Sequence, residues 1–144
     1  MGNKGFYYFR MGVAVKFFPT EPQRSFRVGI DKKIKVKDCA SIQLEAEEQV
    51  TFVTESGAEY DVARKKWGFY ATPSLNGRLS SFALRAVLVK NSFNKYFIFL
   101  VEKGKEKDFQ EYLNAEEHII ISWMDNDSFL EIIETKLRGL NKER

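Results

Sequence analysis

Apolar and polar residues alternate with a period of two through much of the N-terminal part of the chain, the mark of strands buried on one face. Lys33-Ile34-Lys35-Val36-Lys37 is the cleanest case, with Ile34 and Val36 on one side and three lysines on the other. Ile42 and Leu44 repeat the alternation after Asp38-Cys39-Ala40. Residues Gly12 to Phe18 and Ser25 to Ile30 read as two further strands. Pro19 and Pro22 separate them, and because proline lacks the N–H that a central ladder needs, Thr20 to Gln23 is expected to be a loop.

Gln49–Thr54 and Glu59–Arg64 predict a hairpin, with Gly57 supplying a left-handed position in the connection Glu55-Ser56-Gly57-Ala58. Trp67 to Ala71 extends the second arm or begins another strand, and Pro73 to Gly77 is a loop by composition. Phe82–Lys90 and Lys95–Lys103 are apolar on both parities, so both faces are expected to be covered in their middles. Their short connector, Asn91 to Asn94, favours antiparallel pairing.

The period changes after Gly104. Phe109, Tyr112 and Leu113 fall at helical spacing within Glu106–Asn114, and Ile119 to Ile121 form a β-branched run expected to be a strand. A last helix follows, with Asp125 to Ser128 offering caps and Ser128 with Glu131 fitting a capping box. Its apolar stripe is Phe129, Ile133, Leu137 and Leu140.

These elements predict a mainly β domain, an antiparallel barrel or sandwich of about seven to nine strands, with a C-terminal α/β segment of two helices. The alternative is an α+β open sheet. Residues 1–144 are expected to form one domain: an extension over 1–10, a β body over 11–103 and a helix–strand–helix segment over 104–144. A length of 144 residues fits a single domain, and 15% aromatic residues argue for a packed chain rather than a disordered one.

Charge and cysteine content then narrow the partners. A net charge of +3 from 23 basic and 20 acidic residues is too slight to steer a polyanion by itself. One cysteine, Cys39, forms no intramolecular disulfide, which fits a reducing compartment and a cytoplasmic location. With no apolar run of about eighteen residues, no transmembrane helix and no membrane partner is expected.

Few residues present recognisable chemistry. His118 is the sole histidine, so no metal centre built on two histidines or on a zinc finger is available, and no metal or cofactor is expected. P-loop, dinucleotide-binding and G-x-S-x-G patterns are missing, and without a catalytic motif the chain reads as a non-enzyme. The segment richest in information is Trp67 to Leu79, WGFYATPSLNGRL. Here Trp67 and Tyr70 offer ring faces, while Thr72, Ser74, Asn76 and Arg78 offer hydroxyl, amide and guanidinium groups. That combination suits a small polar ligand such as a saccharide or nucleotide sugar, and the leading expectation is a non-enzymatic or accessory binder using those six residues. Two alternatives stand beside it. One is a single-stranded nucleic-acid-binding β domain using Lys33, Lys35 and Lys37; the other is a protein-interaction or homodimerisation module.

The same stretch, Trp67 to Leu79, resembles a motif of a family of small uncharacterised bacterial proteins, and the likeness extends loosely from about Val13 to Leu113. The resemblance implies a bacterial, cytoplasmic protein and assigns no residue a chemical role.

Overall fold

The computed structural model describes residues 6–10, 13–71 and 73–142, with side chains from residue 16 onward. In chain order the strands are β1 (Phe6–Arg10), β2 (Val13–Val28), β3 (Ile34–Gln43), β4 (Gln49–Val53), β5 (Glu59–Lys65) and β6 (Gly68–Ala71). A short helix α1 (Arg78–Ser81), β7 (Leu84–Lys90), β8 (Tyr96–Glu102), α2 (Glu106–Ala115), β9 (Ile119–Trp123) and α3 (Asp127–Lys142) follow. The strands form three three-stranded sheets in the orders β1-β2-β3, β4-β5-β6 and β8-β7-β9. The expected mainly β class is therefore observed. None of the three sheets closes on itself among the described residues, so the expected barrel is not formed.

The chain divides into two compact units, Met1–Gln49 with Ala63–Tyr70, and Val50–Val62 with Ala71–Arg144. The first contains the sheet β1-β2-β3. Residues 6–10, read from sequence as part of an extension, form β1 and pair with β2 from Phe6 opposite Phe17 to Arg10 opposite Val13. The loop expected at Thr20 to Gln23 is instead part of one long strand, β2. Two features let the prolines sit there. Among the described residues β1 pairs with β2 only as far as Phe17, and none of them ladders with β2 beyond it on that side. On the other side the pairing with β3 jumps from Pro19–Ala40 to Arg24–Asp38, which takes Pro22 out of the ladder.

Register also assigns the two faces of this sheet, because directly paired residues share a face. Phe17 with Ile42, Phe26 with Val36 and Val28 with Ile34 lie on one face; Arg27 with Lys35 and Ser25 with Lys37 lie on the other. The apolar face is only partly covered: Phe26 is 48% exposed and Val36 38%. Among the described residues, none in this unit is fully buried.

The second unit holds two buried clusters on opposite faces of β7. Ala58, Leu79, Leu84 and Ala86 form one, joined by Leu75, Leu100 and Met124. Val87, Val89, Val101 and Leu113 form the other, joined by Phe99, Phe109, Ile120 and Trp123. β7 is the middle strand, pairing antiparallel with β8 from Leu84–Glu102 to Lys90–Tyr96 and with β9 from Val87–Trp123 to Lys90–Ile119. The two-faced burial expected of Phe82–Lys90 is thus seen in β7, whereas the first half of β8, an edge strand, stays exposed.

Turns and caps follow local chemistry. Gly57, at φ +92°, closes the hairpin turn in which the Thr54 amide donates to the Ala58 carbonyl. Asn91 Oδ1 accepts from the amides of Phe93 and Lys95, both at 2.9 Å, and so shapes the β7–β8 connection. α3 begins before the capping box expected at Ser128: Asn126 Oδ1 accepts the Phe129 amide at 3.1 Å and caps the helix instead. Phe129 and Ile133 of its stripe are half-buried, while Leu137 and Leu140 remain 54% and 59% exposed. No helix among the described residues is long and apolar enough to cross a membrane.

Candidate functional site

The residues expected to contact a ligand fall into both units. Trp67 and Tyr70 belong to the first, at the β5–β6 turn and in β6, and are exposed. Thr72 lies outside the described residues. Ser74, Asn76 and Arg78 belong to the second unit, where each makes a local bond. Ser74 Oγ accepts the Arg78 amide, the first N–H of α1, at 2.9 Å. Gly77 leaves room for that bond, since a β-carbon there would stand 2.7 Å from Ser74 Oγ. Asn76 Nδ2 donates to Asp127 Oδ1 at 2.7 Å, fastening the loop to the first turn of α3. Arg78 Nη2 donates to Asp61 Oδ2 at 2.8 Å, its guanidinium lying over the Phe82 ring. Asp61, buried in β5, accepts a second bond from Thr51 Oγ1 at 2.7 Å. The polar groups of the loop thus hold the loop, and Leu79, directly after Arg78, anchors the first core cluster.

Lys35 and Lys37 project from one face of the sheet β1-β2-β3 and are exposed, with Arg27 paired opposite Lys35. Lys33 precedes β3 and makes an ion pair with Asp31 at 3.4 Å.

A different place in the second unit combines apolar surface with concentrated polar chemistry. An open groove of about 490 Å³ runs between β8 and α2. Leu84, Phe99, Phe109 and Tyr112 supply its apolar lining; Thr54, Glu102, Lys105 and Asp108 supply its polar end. The rings of Phe109 and Tyr112 stand nearly perpendicular to that of Phe99, at centroid separations of 5.9 Å and 6.2 Å. Edge-to-face contacts of this kind match the positive rim of one ring to the negative face of another. They therefore hold the lining in a fixed arrangement.

The polar end is organised around Glu102, the last residue of β8. Its Oε2 receives the Lys105 ammonium at 2.7 Å. Its Oε1 accepts from Ser56 Oγ at 2.6 Å and from the Thr54 hydroxyl. All of these donors favour the charged carboxylate, and Lys105 above all holds its pKa down to about 2. The same bond raises Lys105, helped by the charges of Asp108 and Glu55. Burial keeps the Tyr112 hydroxyl neutral to higher pH than usual, with the charge of Glu116 adding to the effect. A second concavity, lined by Val53, Thr54, Glu55, Ser56, Glu102 and Lys105, adjoins the same residues.

This site was not singled out from sequence. Phe109 and Tyr112 were visible as helix positions, and the strand content of Tyr96–Glu102 was clear. The link from Thr54 and Ser56 to Glu102 spans nearly fifty residues, and only the folded chain brings those groups together. The sole local hint is the Glu102–Lys105 spacing across Gly104.

No protein-family model, no curated protein and no solved structure matches the chain.

Proposed function

We propose that the protein is a non-enzymatic binder of a small ligand and that the groove between β8 and α2 is its site. The observation that carries this reading is the meeting of an aromatic lining with a polar end ordered around the hydrogen-bonded Glu102. Ligand sites are mostly apolar concavities in which a few placed polar groups choose orientation, and Phe99, Phe109 and Tyr112 serve the first part while Thr54, Glu102, Lys105 and Asp108 serve the second. The reading moves the ligand away from the 67–78 stretch, where Ser74, Asn76 and Arg78 already serve the loop and α3.

A binder rather than an enzyme is favoured by the state of Glu102. A carboxylate held ionised by three donors is a poor proton acceptor, and a general base works best with a pKa near the operating pH. The test is a ligand-observed NMR screen of small aromatic compounds, followed by mapping of the hits on the protein's amide spectrum. Hits are expected to shift signals from residues 99–102 and 105–112 and to be lost in Tyr112→Ala. Hits that shift only other regions, or that survive Tyr112→Ala unchanged, would overturn the assignment of this groove.

A further inference from the structure

The chain's positive charge is gathered in one of its two units. Met1–Gln49 with Ala63–Tyr70 holds twelve basic and six acidic residues, a formal charge of +6; the rest of the chain holds eleven basic and fourteen acidic, a charge of −3. Part of that excess stands on one sheet face. Residues two apart along a strand share a face, and so do directly paired residues. Lys35 and Lys37 of β3 therefore share a face with Lys16 and Arg27 of β2, and none of the residues of β2 and β3 that the register puts beside them is acidic. Arg27, Lys35 and Lys37 are exposed. Elsewhere in the same unit Arg24 pairs with Asp38 at 2.6 Å, Lys33 with Asp31 at 3.4 Å and Lys65 with Glu47 at 2.7 Å. The four cations of this face have no carboxylate partner among the described residues. Lysines on an edge strand discourage edge pairing, but Arg27 stands on the middle strand of the sheet, so edge protection does not account for the patch.

We infer that this face of β2 and β3 binds the phosphate backbone of a single-stranded nucleic acid. The Cα atoms of Lys35 and Lys37 stand about 7 Å apart along β3, and that of Arg27 about 5 Å from Lys35 across the ladder. Cations repeating along an extended strand match a polymer with one anionic group per unit rather than a lone anion. The guanidinium fork of Arg27 can hold two phosphate oxygens at once. The same unit exposes the rings of Trp67 and Tyr70, and unpaired bases stack on such faces. A membrane surface fits less well. A membrane-binding face joins apolar side chains to its cations, and here Phe17, Phe26 and Val36 lie on the opposite face.

The test is fluorescence anisotropy of a labelled oligothymidylate of about twenty nucleotides titrated with the full chain. The logarithm of the affinity is expected to fall against the logarithm of salt with a slope of about −2 to −3, the value for three or four phosphate contacts on a single strand. The triple variant Arg27→Gln, Lys35→Gln, Lys37→Gln is expected to bind about tenfold more weakly or worse, and Lys37→Glu alone to act in the same direction. The triple variant Lys95→Gln, Lys107→Gln, Lys136→Gln removes the same charge from exposed lysines of the other unit and is expected to bind as the unaltered chain does. No binding at low salt, or equal losses in the two triple variants, would overturn the assignment of this face. Polyglutamate, or a duplex of the same length, competing as well as the single strand would overturn the single strand as its occupant.

Discussion

At the scale of single residues, Glu102 shows how placement sets chemistry. Its sequence neighbours Val101 and Lys103 give no reason for an unusual carboxylate; the donors come from the β4–β5 turn and from Lys105. Because its folded pKa of about 2 lies below the ordinary 4.5, the folded state gains stability from it above pH 4.5 and loses that gain as pH falls towards 2. Lys105 is shifted the other way, so its contribution is complete below its ordinary 10.5 and fades as pH climbs past that. The pair therefore works across the whole neutral range. Carboxyl-detected NMR should place the Glu102 titration near pH 2, and Glu102→Gln should flatten the acid limb of the melting temperature between pH 4.5 and 2. A Glu102 midpoint above 4 would mean that the cluster does not form. The sequence could not signal this residue, whereas the turn glycine Gly57 was legible because its left-handed φ is a local requirement.

At the scale of elements, Arg85 joins three pieces that patterning treats separately. From β7 its guanidinium donates to both carboxylate oxygens of Asp125, at 2.7 Å and 3.3 Å, and to Glu106 Oε1 of α2 at 3.4 Å. It also lies 4.0 Å from the ring centre of Trp123 at the end of β9. Only a planar fork makes these contacts at once. Arg85→Ala is expected to lower the unfolding free energy by about 2 kcal/mol, and Arg85→Lys by an intermediate amount, as read by urea denaturation. An unchanged midpoint in both variants would show that α2 and β9 are held by their apolar contacts alone. Elements with a strong internal period were readable in advance: α2, β9 and α3 stand where the spacing of Phe109, Ile119 to Ile121 and Phe129 put them. β2 was not, because Pro19 and Pro22 read as a break, and only the jump in register against β3 between Pro19 and Arg24 shows how a strand takes up the second of them. The cap of α3 was misplaced from Asn126 to Ser128 because several capping residues stand in a row, and sequence does not rank them.

At the scale of the whole molecule, burial is unevenly shared. The fully buried described residues, Leu79, Ala86, Val87, Val89 and Leu113 among them, all belong to the unit formed by Val50–Val62 with Ala71–Arg144. Alternation in β3 correctly indicated two unlike faces, yet period alone does not say how deeply the apolar face is covered. Phe26 and Val36 are only about half covered on that face, and their contribution to holding the native state is correspondingly smaller than that of the buried core. A serine at either position should therefore lower the melting temperature by only about 3 °C and raise the concentration at which the protein precipitates. Serine at Val87 should do the reverse, with early melting and poor recovery after expression. A scan of such replacements would sort the chain into a half where hydrophobic residues govern colloidal behaviour and a half where they govern whether it folds.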